Sequence, residues 1–264
     1  MNTGPVTVVV PCYRCANTIE RAIASVAAQT LRPNELLLVE DASGDGTLEV
    51  LLALQRRYEG WIRVIPLEFN AGAASARNAG WNAAQQPYIA FLDADDAWHP
   101  RKIEIQYAYM RDHPTVVLSG HLCRQLPQDA CAPHGWPIEA LSAQPVRWGK
   151  LLLQHAFVTP SVMLHRIIPM RFAEGLRHME DHRLWLEVVG AQLPVMKLQI
   201  ELAAVYKPVY GASGLSADMW SMERAELANF RYFYRQGKIS PLLLPFLQCY
   251  SLAKFLRRLV IVRK

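Results

Sequence analysis

The sequence predicts an α/β fold: a central, mostly parallel sheet flanked by helices. Three observations predict it. Short apolar runs at 7–11, 36–39, 61–66 and 88–92 alternate with stretches whose apolar residues recur at helical spacing. The runs give way to turns rich in Pro, Gly, Asn or Asp. The 264 residues are 52% hydrophobic and only 19% charged, enough to cover a sheet on both faces. Strands alternating with helices form right-handed crossover units, which make neighbouring strands parallel.

The first strand, 7–11, is β-branched and stops at Pro11. Asn17, with Glu20 three residues on, fits a capping box; it opens a helix to Gln29 with Ile19, Ala22, Ile23 and Val26 on one face. The second strand, 36–39, ends in Glu40-Asp41, and the glycine-rich turn after it leads into a helix over 47–58. A third strand spans 61–66, and the turn beginning at Asn70 opens a helix over 74–85. The fourth strand, 88–92, ends in Asp93-Ala94-Asp95-Asp96. Residues 120–150, interrupted by Pro127, Pro133, Pro137 and Pro145, read as an irregular excursion, and a further helix spans 181–189.

The acid cluster carries the most chemistry. Three carboxylates within four residues repel one another and are costly to desolvate unpaired. A divalent cation carrying a phosphate resolves the conflict, since Mg²⁺ and Mn²⁺ take carboxylate oxygens and share their remaining positions with substrate phosphates. A solvated acidic turn capping the next helix is the plainer alternative. Open α/β sheets bind ligands beyond the carboxyl ends of their strands, where Asp41, Asp93 and Asp95 all fall.

The net charge of +5 is uneven: from Arg231 to Lys264 there are eight Lys/Arg and no Asp/Glu. With its aromatic and apolar residues, this is the composition of an interfacial membrane anchor. A helix docked on the domain with its basic face in water is the alternative. No nucleic-acid motif accompanies the patch. Residues 1–10 contain no basic leader region, and no apolar stretch approaches membrane-spanning length. The expectation is a cytoplasmic chain, peripheral on the cytoplasmic face of the membrane. Five cysteines argue against a disulfide framework. The Cys12–Cys15 spacing reads as coincidental, because Cys123 and Cys131 are too far apart to complete a zinc site.

Five motifs occur in a telling order. They are Val6–Tyr13 with Pro11, Val39-Glu40-Asp41 through Thr47, Asn70-x-Gly72-x₃-Ala76-Arg77-Asn78-x-Gly80, Phe91-Leu92-Asp93-Ala94-Asp95-Asp96, and Met179-Glu180-Asp181 through Trp185. In this order they resemble glycosyltransferase family 2, the inverting nucleotide-sugar transferases with a GT-A, Rossmann-like fold. The resemblance implies that Pro11 and Tyr13 line the pocket for the base, which Asp41 binds. Asp93 and Ala94 would face the ribose, Asp95 with Asp93 would hold Mn²⁺ or Mg²⁺ against the diphosphate, and Arg77 would be the cationic partner of the diphosphate or the acid cluster. Asp181 would be the base that deprotonates the acceptor hydroxyl, and Glu180 a neighbour that orients the site or raises the pKa of Asp181.

The resemblance also implies transfer of one sugar from a nucleotide-diphosphate donor, UDP-linked, to a glycan or lipid-linked acceptor in cell-surface polysaccharide biosynthesis. Residues 1–220 would form the transferase domain, with a nucleotide half at 1–115 and an acceptor half at 116–220; 221–264 would be a basic helical extension. Gln144-x-x-Arg147-Trp148 matches a pattern of processive synthases but precedes the Glu180-Asp181 motif instead of following it. Many relatives place a His after that motif's helix; residues 205–216 hold none, leaving Lys207 or Ser213 as diphosphate contacts. The acceptor side is expected from 120–160, with Trp136, Trp148 and Thr159-Pro160-Ser161 as candidates, and His182 is expected to face solvent. The competing readings are a catalytically inactive sugar-nucleotide or glycan-binding scaffold and a sugar-nucleotide nucleotidyltransferase. The latter calls for a glycine-rich loop after the first strand, where this chain has Pro11-Cys-Tyr-Arg-Cys15.

Overall fold

A computed structural model describes residues 2–128, 130, 136–138, 140–206 and 218–262. The first half alternates as the sequence predicts: β1 (Thr3–Cys12), α1 (Ile19–Ala27), β2 (Arg32–Glu40), α2 (Thr47–Arg57), β3 (Ile62–Pro66), α3 (Ala73–Ala83) and β4 (Tyr88–Phe91). Then come β5 (Ala97–Trp98), α4 (Lys102–Asp112), β6 (Leu118–Gln125), β7 (Ala143–Pro145), α5 (Trp148–Leu153), β8 (Met163–His165), α6 (Glu180–Gly190), β9 (Val195–Val205), α7 (Met219–Arg235) and α8 (Leu243–Val262).

Among the described residues nine strands form one open sheet in the order β3-β2-β1-β4-β8-β6-β9-β5, with β7 added against β9. The four strands at the β3 end pair parallel. Across β8 the pairing turns antiparallel. Both faces of the parallel half are buried, which is why its strands read as unbroken apolar runs. Val9, Leu37, Val39 and Phe91 point to the layer holding Trp81, Phe172 and Trp185. Val8, Val10, Leu36, Leu38 and Ala90 point to the layer of Ile19, Ile23, Leu51 and Ile103. Gly80 lets α3 lie directly on β1, for a methyl there would sit 2.4 Å from Val9 Cγ1.

Two expectations are corrected. Asn17 does not cap α1: the N-cap is Thr18, without a side-chain cap bond, and the Thr18 and Ile19 amides donate to the Cys15 carbonyl instead. Residues 120–150 are not irregular throughout, since β6 reaches to Gln125 and lies inside the sheet between β8 and β9. Its polar Ser119 escapes recognition as strand because Gln106 of α4 donates to its hydroxyl and carbonyl at 3.0 and 3.1 Å. Buried Lys102, one turn earlier on α4, stacks its ammonium 3.9 Å from the Trp98 ring. The helices α7 and α8 pack against the domain: Phe230, Phe233, Ile239 and Leu247 share a cluster with Leu164 and Trp185.

Candidate functional site at the carboxyl edge of the sheet

Register places the site. Cys12 of β1 pairs with Glu40 of β2, and Val9 pairs with Phe91 of β4, so the loops after these strands leave one edge together. The Asp41 amide donates to the Cys12 carbonyl at 2.9 Å. The Arg14 amide donates to Ser43 Oγ and the Cys15 amide to Thr47 Oγ1, tying the first loop to the second. Pro11 ends this platform and Tyr13 stands 46% exposed at its mouth. Glu40 is buried beneath, its carboxylate accepting the Ala42 and Ser43 amides.

Asp41 is only 2% exposed. Its two carboxylate oxygens accept the Ala71 and Gly72 amides at 2.7 and 2.9 Å, so it shapes the loop that starts α3. A carboxylate offers about four acceptor positions, so both oxygens keep lone pairs for a further donor. Gly72 reaches this position with φ at +87°, a conformation an L side chain resists.

Arg77, also on α3, joins the distant motifs. Its Nη2 donates to Asp93 Oδ1 and its Nη1 to Glu180 Oε1, both at 2.9 Å, and its side chain is 7% exposed. Burial opposes its charge, but Asp93 and Glu180 outweigh that and hold the guanidinium protonated. Asn78, next on α3, donates to the Phe172 carbonyl and accepts the Phe172 amide, locking the strand-to-helix connection in front of α6.

Asp93 to Asp96 form a turn closed by the Asp96 amide on the Asp93 carbonyl at 3.1 Å. Asp93 keeps 30% of its side chain exposed, Ala94 is buried, and Asp95 is partly exposed. Arg21 of α1 pins the turn from behind, donating to the Asp95 carbonyl at 2.6 Å while its guanidinium lies 3.5 Å from the centre of the Tyr206 ring. Among the described residues no group of three His, Cys, Asp or Glu gathers as a cation cage. Lys207 and Ser213, the expected extra phosphate contacts, lie outside the described residues, as does Cys131. Cys12 and Cys15 are buried in the core.

Glu180 and Asp181 open α6, after Met179 in the left-handed region at φ +59°. Asp181 Oδ1 accepts the His182 amide at 2.6 Å and Oδ2 accepts the Thr159 hydroxyl at 3.2 Å. Burial and the Asp181 charge push the Glu180 carboxyl up to about 7, although Arg77 pulls the other way. One guanidinium thus faces Asp93, Glu180 and Asp181, and the surplus negative charge falls hardest on buried Glu180. His182 does not face solvent: it is 1% exposed and stacks on His155 at 4.1 Å, because the first turn of α6 is covered by the loop after α5. Of the acceptor candidates only Thr159 reaches the acids. Trp136 donates to the Glu201 carbonyl beside His99, and Trp148 packs on Phe233 at 5.2 Å. No local pattern marks Arg21 or His155, whose partners lie far along the chain. An open groove of about 510 Å³ between α4 and Ile138, Ala140 and Leu141 shares none of these residues.

Asp93 in the turn after β4 and Glu180 at the start of α6 therefore meet through one arginine at the sheet edge. The family model for glycosyl transferase family 2 matches residues 7–166. The chain belongs to that family. Within it, the chain is 29% identical over 184 residues to the UDP-Glc:alpha-D-GlcNAc-diphosphoundecaprenol beta-1,3-glucosyltransferase WfgD of Escherichia coli, covering 70% of this chain and 69% of WfgD. It is 33% identical over 120 residues to the poly(ribitol-phosphate) beta-N-acetylglucosaminyltransferase TarP of Staphylococcus aureus, covering 44% of this chain but only 36% of TarP. The mannosyltransferase PcManGT from Pyrobaculum calidifontis, solved with GDP-Man and Mn²⁺, superposes with a TM-score of 0.68 at 18% identity, over 94% of this chain and 73% of that one. The family member thus has the GT-A architecture of a mixed α/β open sheet.

Proposed function

We propose that this chain is an inverting, cation-assisted glycosyltransferase that moves a single sugar from a UDP-sugar onto a glycan or lipid-linked acceptor in cell-surface polysaccharide biosynthesis. The observation that carries the reading is the double contact of Arg77. It brings the turn of Asp93 and the first turn of α6 within the span of one guanidinium, so donor and acceptor chemistry share a cleft. WfgD supports the UDP donor and lipid-diphosphate acceptor by its activity. Residues 1–115 would form the donor half, 116–220 the acceptor half, and 221–264 the appended basic helices.

In this reading Tyr13 and Pro11 cover the base and a remaining lone pair of Asp41 accepts its imide N–H. Asp95 with Asp93, whose side chain is 30% exposed, would hold the cation. Two carboxylates and no third protein ligand among the described residues suit Mn²⁺ or Mg²⁺, which complete their shells from phosphate oxygens and water. When bound, the cation offsets charge gathering on the leaving diphosphate. Arg77 keeps Asp93 oriented and neutralises part of the cluster. Across the anomeric carbon, Asp181 takes the acceptor hydroxyl's proton, its carboxylate aimed by the His182 amide and the Thr159 hydroxyl.

A thermal-shift panel of UDP-, GDP-, CMP- and dTDP-sugars, with and without Mn²⁺, tests the reading. The expected result is stabilisation by UDP-sugars that grows with Mn²⁺. Asp95→Asn is expected to lose the Mn²⁺-dependent part while keeping the Mn²⁺-independent part. Failure of every nucleotide to stabilise the protein would remove the basis for a transferase.

A further inference from the structure

The C-terminal helices have their charges on the unusual side. On α8, Lys254 Nζ donates to Glu226 Oε1 at 2.9 Å, Arg258 to Glu223 Oε2 at 3.3 Å, and the Ser251 hydroxyl to Glu223 Oε1 at 2.8 Å. All three point inward, alongside buried Leu247 and Phe255. Glu223 and Glu226 are the only acids from Met219 to Lys264, and both are buried on α7.

The 3.6-residue period then leaves an apolar outer face on α8. Leu242 is 87% exposed, Leu256 61% and Phe246 57%, with Cys249, Tyr250, Leu252 and Ala253 also exposed between them. Arg257 is the one cation on that face among the residues whose side chains are described. The outer face of the adjoining α7 carries exposed Trp220, Arg224, Arg231, Tyr234 and Arg235. From Met219 to Leu259 no carboxylate is exposed.

We propose that this outer face docks on an anionic phospholipid surface. The apolar stripe of α8 enters the boundary between headgroups and acyl chains, and the exposed arginines of α8 and α7 supply the attraction to anionic headgroups. Charge selects lipid over a second copy of the chain. A two-fold pairing through this face would set Arg224, Arg231, Arg235 and Arg257 near their own counterparts, with Asp218 at the start of α7 the one exposed acid of the described residues 218–259 to set against them. Among the described residues no helix is long and apolar enough to cross a membrane, so α8 lies in the interface.

Docking also orients the cleft. Lys254 donates to the Leu153 carbonyl at 3.2 Å, at the start of the loop that carries His155 and Thr159 to Asp181. The acceptor side is therefore held one helix diameter, ~10 Å, behind the lipid-facing stripe. That last step rests on the lipid-linked acceptor proposed above, whereas the docking does not.

Flotation of the full chain with vesicles of phosphatidylcholine, alone or with phosphatidylglycerol, tests the proposal. The protein is expected to float with the anionic vesicles and to be released by high salt. The paired surface variant Leu242→Ser/Phe246→Ser is expected to lose about tenfold or more in vesicle affinity. Arg224→Gln/Arg231→Gln/Arg235→Gln is expected to lose the preference for phosphatidylglycerol. Both should keep the wild-type circular dichroism and the wild-type nucleotide shift. Three results overturn the proposal: wild type that stays at the bottom of the gradient, a Leu242→Ser/Phe246→Ser variant that floats as well as wild type, or a wild-type dimer that this variant converts to monomer. Flotation without any nucleotide shift would leave docking standing and remove the transferase reading.

Discussion

Asp181→Asn is expected to bind the donor as wild type does and to transfer sugar about 10²–10⁴-fold more slowly, the range that general-base catalysis supplies. The substitution is close to isosteric. An asparagine carbonyl still accepts the His182 amide, and its NH₂ donates to the Thr159 oxygen once that hydroxyl rotates, so α6 keeps its first turn. What is lost is the capacity to take a proton. Steady-state transfer assays beside nucleotide-dependent thermal shifts separate the two effects. A variant that transfers at the wild-type rate would move the base elsewhere, with Glu180 the next carboxyl in line.

Arg77→Met is expected to be the most destabilising single change at the site, by about 3–5 kcal/mol, because it leaves buried Glu180 without its cation. It also frees Asp93, so donor binding should weaken with stability. Arg77→Lys should rescue little, since one ammonium cannot reproduce a fork that spans two carboxylates. Adding Glu180→Gln to Arg77→Met should recover much of the stability but not donor binding, and a double-mutant cycle measures the difference. Equal melting temperatures for wild type and Arg77→Met would show that the arginine holds nothing together.

The Glu180 carboxyl adds a pH signature. It is raised from 4.5 to about 7 in the folded protein, so between those values the folded chain holds a proton that the unfolded chain has released. Stability through this group therefore falls as pH rises from 4.5 toward 7, and is level below and above that window. Glu180→Gln should flatten that part of a stability-against-pH curve. A slope unchanged by the substitution would assign the titration to another group.

Much of the donor half was legible because its signals are local. The runs at 7–11 and 36–39 could only be strands buried on both faces, and the acids that follow them had to lie at the carboxyl edge. The motif from Asn70 to Gly80 carried more structure than spacing alone reveals: Gly72 supplies a left-handed turn and an amide to Asp41, Arg77 the bridge, Asn78 the lock on Phe172, and Gly80 the close approach to Val9. By contrast β6 was missed because its polar residues are matched by α4, whose Gln106 no local pattern ties to Ser119.

By itself the sequence determined the alternation of strands and helices, the family, and the set of carboxylates available for chemistry, since periodicity and motif order survive without knowledge of neighbours. Tertiary structure alone decided which of those carboxylates share Arg77, that His182 is covered, and that Lys254 and Arg258 of α8 turn inward while Phe246 and Leu256 face outward. A side chain's partner, and hence its charge state and the side it presents, is set by whichever distant segment packs against it, and the energy of that contact outweighs local preference.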